Sequence, residues 1–198
     1  MKFKSIWLFL IGSIIFLELA YIVAFKTQKL LFFFDLNGEA NIPVWFTSSL
    51  FAFSAALSLF SATRQSNWDA KHFWNTLGLA CAFISLDETA QIHEQITYLT
   101  NIKWIYFYAP AGVIVIAMLT RYFFKHYNDH PNLQIIGAGV LVGFVFSVGL
   151  EAISYFGFTS LWQKVEFMLE EGAEMLGAGA IMIGVLHEVD KFLKKSDT

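Results

Sequence analysis

The chain has 198 residues, 57% of them hydrophobic and only 15% charged, with a net charge of −3. A soluble domain usually carries about 25% charged residues, so the composition argues against a soluble fold. The few, scattered Lys and Arg argue against a nucleic-acid surface, and a single cysteine, Cys81, rules out an intramolecular disulfide and a thiolate metal site.

The apolar residues fall in blocks long enough to cross a bilayer, which takes roughly 20 residues per helix. In chain order the expected spans are residues 6–25, 43–62, 73–95, 104–124, 133–158 and 165–186. The first follows Met-Lys-Phe-Lys and resembles a signal peptide. Its length, with no small-x-small cleavage site after it, makes it a retained helix. Pro43 suits the start of the second. The third cannot end before its acidic motif, because the apolar stretch from Phe73 to Leu86 is too short to span by itself. The fifth carries Gly139-x-x-x-Gly143, and the sixth carries Gly172, Gly177, Gly179 and Gly184, which permit close helix approach. The expected fold is therefore an all-α integral membrane protein, one domain of about six transmembrane helices.

Positive charge sets orientation. With the N-terminus in the cytoplasm, Lys2, Lys4, Arg64, Lys71, Arg121, Lys125, Lys191, Lys194 and Lys195 fall inside, against Lys26, Lys29, Lys103 and Lys164 outside. Both termini are expected to be cytoplasmic. The same map sends most acids to the outer half: Glu18, Asp35, Glu39, Asp87, Glu88, Glu94, Glu151, Glu166, Glu170, Glu171 and Glu174.

Several of these acids must lie within spans. A charge at mid-membrane costs roughly 2.5–3.5 kcal/mol on insertion scales, so a group of them calls for protons, a hydrated cavity or a cation. At about 100° per residue, Asp87, Gln91 and Glu94 share one helical stripe, and Glu166, Glu170 and Glu174 share another. With Glu88, Glu151, Glu171 and His93 added, the expected metal ligands are Asp87, Glu88, His93, Glu94, Glu151, Glu170, Glu171 and Glu174. Hard oxygen donors with at most one imidazole favour Mg, Mn, Fe or Ca over Zn. On an ideal helix His93 points about 120° away from Asp87, which leaves it either a ligand or a brace on a neighbouring helix. Neither the Glu-x-x-His pair of di-iron bundles nor the zinc signature His-Glu-x-x-His occurs in the spans. The competing reading of the acids is a hydrated outer vestibule without a specific ligand.

The stretch from Asp35 to Phe46 places Asp35, Asn37 and Glu39 at alternate positions. It reads first as a capped helix start with Trp45 as an interfacial anchor, and second as a lid. Ser48, Ser54, Ser58 and Ser85, and the Ser147-Glu151-Tyr155 face, are weak nucleophile signals, since such residues more often satisfy helix contacts.

Three segments carry a resemblance: Asp35 to Phe46; Ser85-Leu-Asp-Glu-Thr-Ala-Gln-Ile-His-Glu; and Glu170-Glu-Gly-Ala-Glu-Met-Leu-Gly. In these the chain resembles a family of uncharacterised bacterial polytopic membrane proteins, over residues 30 to 190, with Val44 where the family often has Thr. The resemblance implies a multi-pass fold and groups the motifs, but brings no reaction with it.

The leading expectation is an outward-facing carboxylate/His site holding a divalent metal. It would belong to a metal-dependent hydrolase or transferase acting on a lipid or lipid-linked substrate, with Glu94 or His93 as the acid–base group. The alternatives are a small cation- or proton-coupled transporter or channel, which a homo-oligomer could help to build, and a non-catalytic assembly or sensor subunit. The apolar stretches Thr76 to Ile84 and Met175 to Leu186 favour a one-sided site over a pathway.

Overall fold

A computed structural model describes residues 3–36, 38, 40–128, 130–146, 150 and 160–196, with side chains for all of these except 144–146, 160–164 and 195–196. The described residues are almost wholly helical: α1 (Phe3–Thr27), a single turn α2 (Leu31–Phe34), α3 (Ile42–Arg64), α4 (Trp68–Ala90), α5 (Ile92–Thr100), α6 (Ile105–His126), α7 (Pro131–Val140), a π-helical turn (Leu141–Phe146) and α8 (Ser160–Ser196). Four of these are long and apolar enough to cross a membrane: α1, α3, α6 and the Val165–Lys194 part of α8. The protein is thus a helical, membrane-compatible bundle. Helix α4 has 23 residues but a more polar sequence, and Pro131–Gly143 is apolar but shorter.

Local signals fix the helix starts. Asn41 caps α3, its Oδ1 accepting the Val44 N–H at 3.1 Å, and its Nδ2 donates to the Asp35 carbonyl at 2.6 Å. Residue Leu36 of the same loop is buried against Leu17, Tyr21 and Met175. The Asp35–Phe46 segment is therefore a capped, anchored helix start with Trp45 exposed; Asn37 and Glu39 lie outside the described residues. Asn67 caps α4 through the Ala70 N–H.

Small residues set the packing. Helices α3 and α4 form an antiparallel pair, with Gly78 against Leu59 and the Ala55 carbonyl. Near its far end, Ser48 Oγ bonds the Ser85 carbonyl at 2.8 Å and lies 2.7 Å from Thr89 Oγ1, while Ser85 Oγ donates to the Ser48 carbonyl at 2.9 Å. Ser48 and Ser85 therefore tie helices together. Helix α8 runs antiparallel to α1, with Gly179 against Leu10 and Gly172 against Glu18, and antiparallel to α7, with Gly139, Gly177 and Gly184 at the seam. Helix α6 packs on α4 and has no buried residue, as expected of a lipid-facing helix.

The glycine reading held for the α7–α8 seam. Helix α4 packs mainly on α3 and α6, and α8 on α1, α3 and α7. Phe73, Trp74, Leu77 and Cys81 of α4 nonetheless share one core cluster with Leu133 and Ile136 of α7 and Ile181 and Val185 of α8, so the expected common interior of these helices forms on the side of Asp87 toward the start of α4 and is apolar.

The face carrying the start of α1 and the end of α8 (the terminal face) is closed by a buried polar network. Glu188 accepts from Gln65 Nε2 at 3.0 Å, Asn132 Nδ2 at 3.1 Å and Lys191 Nζ at 3.0 Å, and Lys191 also donates to Asn132 Oδ1 at 2.9 Å. It clamps the ends of α3, α7 and α8. Replacing Glu188, 8% exposed, by Ala strands a buried amide and an ammonium. Breaking a buried charged pair costs about 3–5 kcal/mol. Glu188→Ala should sit near the low end because Lys191 is half exposed, and thermal melts against Glu188→Gln check this.

A candidate acid–base site on the loop face

On the opposite face, bearing the 28–41 and 91–104 connections, the chain breaks helix inside the acidic motif. Gln91 adopts φ 54°, the left-handed region, and its N–H bonds the Asp87 carbonyl at 2.7 Å. Such a residue ends one helix and redirects the chain. Helix α4 stops at Ala90 and α5 starts at Ile92. The expectation of one continuous helix through Glu94 is therefore corrected, and the stripe Asp87–Gln91–Glu94 is dissolved.

The break brings His93 back onto Asp87. Its N–H donates to Asp87 Oδ1 at 2.9 Å, and its Nδ1 lies 3.0 Å from Oδ2. From α6, the Tyr108 hydroxyl donates to Oδ1 at 2.8 Å. The Asp87 carboxylate is thus gripped by three donors, which is how a buried anion is stabilised. Its side chain is 11% exposed and that of His93 22%. Aromatic rings wall the site: Trp104 meets His93 edge-on at 5.5 Å and Tyr108 at 5.3 Å, and Phe83 lies 5.5 Å from Tyr108. Thr97 holds the connection in place, its Oγ1 donating to the His93 carbonyl and accepting the Trp104 N–H at 3.1 Å.

Chemically, a carboxylate on Nδ1 fixes the ring and its tautomer. Nε2 is left to act as a base or to take a ligand.

Of the other expected site residues, Glu94 is exposed on α5, and Glu88, Glu170, Glu171 and Glu174 are half-buried on α4 and α8. Each of these last four has interactions of its own. Glu151 lies outside the described residues. Among the described residues, no three of His, Cys, Asp and Glu stand close enough to hold a metal ion. Sequence reasoning missed Tyr108. Its signal was a polar-tipped aromatic residue one turn into an otherwise lipid-facing helix, at the depth of Asp87.

Gln91 itself is testable. A left-handed non-glycine residue costs roughly 1–2 kcal/mol. Gln91→Gly is expected to match or modestly raise the melting temperature. Gln91→Pro, with φ locked near −65°, is expected to lower it and to release His93 from Asp87. Thermal melts and the His93 imidazole NMR signal check both.

An apolar groove of about 460 Å³ runs between α1 and α3, lined by Leu8, Phe9, Gly12, Phe16, Ile42 and Trp45 among others. It flanks the α1 side of α3, whereas the Asp87 site faces α6, so the groove is not the mouth of that site.

No curated protein matches the chain, and no solved structure does. A family model described as a domain of unknown function, DUF8692, matches residues 5–188. With that match spanning the bundle from α1 into the last turns of α8, Asp87, His93 and Tyr108 included, the chain belongs to the DUF8692 family.

Proposed function

We propose that this is a multi-pass membrane enzyme that uses His93 as a general base, with Asp87 as its positioning carboxylate, on a lipid or lipid-linked substrate reaching the loop face. The observation that carries it is the three-donor grip on Asp87, which orients His93. A rigid histidine at a membrane interface, walled by Trp104, Tyr108 and Phe83, is suited to abstract a proton from a substrate hydroxyl or from water. Tyr108 completes the orientation of Asp87. The reading includes six spans, with α4–α5 and the segment beginning at α7 completing the set. It also places both termini in the cytoplasm of a bacterial cell and the site on the outer side of the inner membrane.

A second reading has the same support. A histidine whose Nδ1 is bonded to a carboxylate is the usual form of a metal-ligating histidine. A divalent ion on Nε2, its other ligands coming from substrate or water, would then supply the Lewis acid.

The test is turnover. Protein reconstituted with a total lipid extract is followed by lipid mass spectrometry, beside His93→Ala. A product that depends on His93 supports the reading. Identical lipid profiles for the two proteins sink it. Elemental mass spectrometry of the same samples separates the two versions: stoichiometric metal lost in His93→Ala selects the metal-dependent one.

A further inference from the structure

Buried polar groups in proteins are almost always hydrogen-bonded, and those left over usually mark bound water. Three buried side-chain atoms in the terminal-face half of this bundle have no hydrogen-bond partner among the described residues: Ser58 Oγ, Ser61 Oγ and Trp74 Nε1. Ser58 and Ser61 are 0% exposed and Trp74 is 1% exposed. A helical serine normally satisfies itself on the carbonyl one turn back. Ser54 does so on Leu50 at 2.8 Å, whereas Ser58 and Ser61 do not.

The register sets the three at one level of the α3–α4 pair. Gly78 of α4 lies against Leu59 and Ala55 of α3. In an antiparallel pair Trp74, one turn before Gly78, is therefore level with the next turn of α3, which carries Ser58, Ser61 and Ala62. Ala55, Ala62, Trp74 and Leu77 belong to one core cluster, closed on the α8 side by Ile181 and Val185. Ser54, Ser58 and Ser61, spaced i, i+4 and i+7, share one face of α3. One turn beyond Ser61 stands Gln65, which donates to Glu188.

We infer that Ser58, Ser61 and Trp74 form an internal water site. It extends the Gln65–Glu188–Asn132–Lys191 network from the terminal face into the membrane interior. Two hydroxyls, each donor and acceptor, and one indole donor supply the two to four contacts a buried water takes. Ser58 lies six residues before the end of α3, about 9 Å deep. The polar seam therefore runs along α3, inward from the Glu188 network.

Radiolytic hydroxyl labelling tests it, because radicals formed from a bound water oxidise the side chains beside it. In full-length protein in nanodiscs, Trp74 is expected to be oxidised although it is buried. The labelling should fall severalfold in Ser58→Ala/Ser61→Ala, while exposed Trp68 labels equally in both as the dose reference and an unchanged melting temperature reports that the fold is kept. A wild-type Trp74 that stays unlabelled at doses that label Trp68 overturns the site, and so does a double variant that labels Trp74 as wild type does. A second measurement needs no variant. The Trp74 indole N–H should exchange with deuterated water well ahead of the backbone amides of α3 and α4 around it, and an indole that exchanges no faster than those amides also overturns the inference.

Discussion

Gly177→Val should unfold or misassemble the bundle, and Gly177→Ala should already lower its melting temperature strongly. A Cβ at Gly177 would stand 2.5 Å from Gly143 Cα, 2.6 Å from Gly143 N and 2.7 Å from the Gly139 carbonyl. Those are backbone atoms on the facing segment, so no rotamer change can make room. Overpacking a core costs typically about 1–3 kcal/mol when side chains can shift; here two backbones must separate, and valine should exceed that range. The expected loss is local to the α7–α8 seam. Gly12 and Gly112 have nothing within 4 Å of the position a Cβ would take, so Gly12→Ala and Gly112→Ala should be neutral, or stabilising by up to about 1 kcal/mol through helix propensity. Thermal unfolding of the four single variants in one detergent checks the contrast. Equal melting temperatures for Gly177→Ala and Gly112→Ala would show that the seam does not hold the helices together.

The second large effect concerns chemistry. His93→Ala should reduce turnover of the lipid substrate by about 10²–10⁴-fold, the usual contribution of a general base. Asp87→Asn should also reduce turnover, because the amide NH₂ cannot accept the bond from Nδ1 and favours the wrong tautomer. The two losses should not add in the double variant, since Asp87 acts through His93. Tyr108→Phe removes one of three donors and should cost less. A stability readout separates structure from chemistry: His93→Gln should keep the melting temperature within a few degrees while losing activity. Full additivity of Asp87→Asn and His93→Ala would mean that the carboxylate does not work through the imidazole.

The sequence by itself specified helices long and apolar enough to cross a membrane. Block length and scarce charge specify apolar helices, because a backbone in lipid must satisfy its own hydrogen bonds. The glycine seam was legible in part: Gly139-x-x-x-Gly143 and the glycines of residues 172–184 permit close approach, but glycine is common in membrane helices and the pattern does not say which helices meet. Asn41, Pro43 and Trp45 announced the start of α3, and the structure has the cap they specify.

The site was legible as a motif but not as a geometry. Extending α4 through Glu94 at the helical period put His93 on the wrong face, because nothing between Ser85 and Glu94 breaks a helix by composition. The break sits on Gln91, a residue that favours helix. It is held there by contacts on Asp87: two from His93, reached only if the chain turns back, and a third from Tyr108 of α6. The same limit applies to the acids as a set. Helical wheels give the face of each stripe, but which helix that face meets is settled by packing. Helices α4, α7 and α8 meet through apolar residues such as Leu77, Ile136 and Ile181, and among the described residues no three of the acids and histidines come together to hold a metal ion. The Glu188 network was hidden for a related reason, its members being scattered over residues 65, 132, 188 and 191 and reading singly as flanking polar residues. Periodicity along one chain determines what each helix is; the long-range order of helices, which no local pattern carries, decided what each charged group touches.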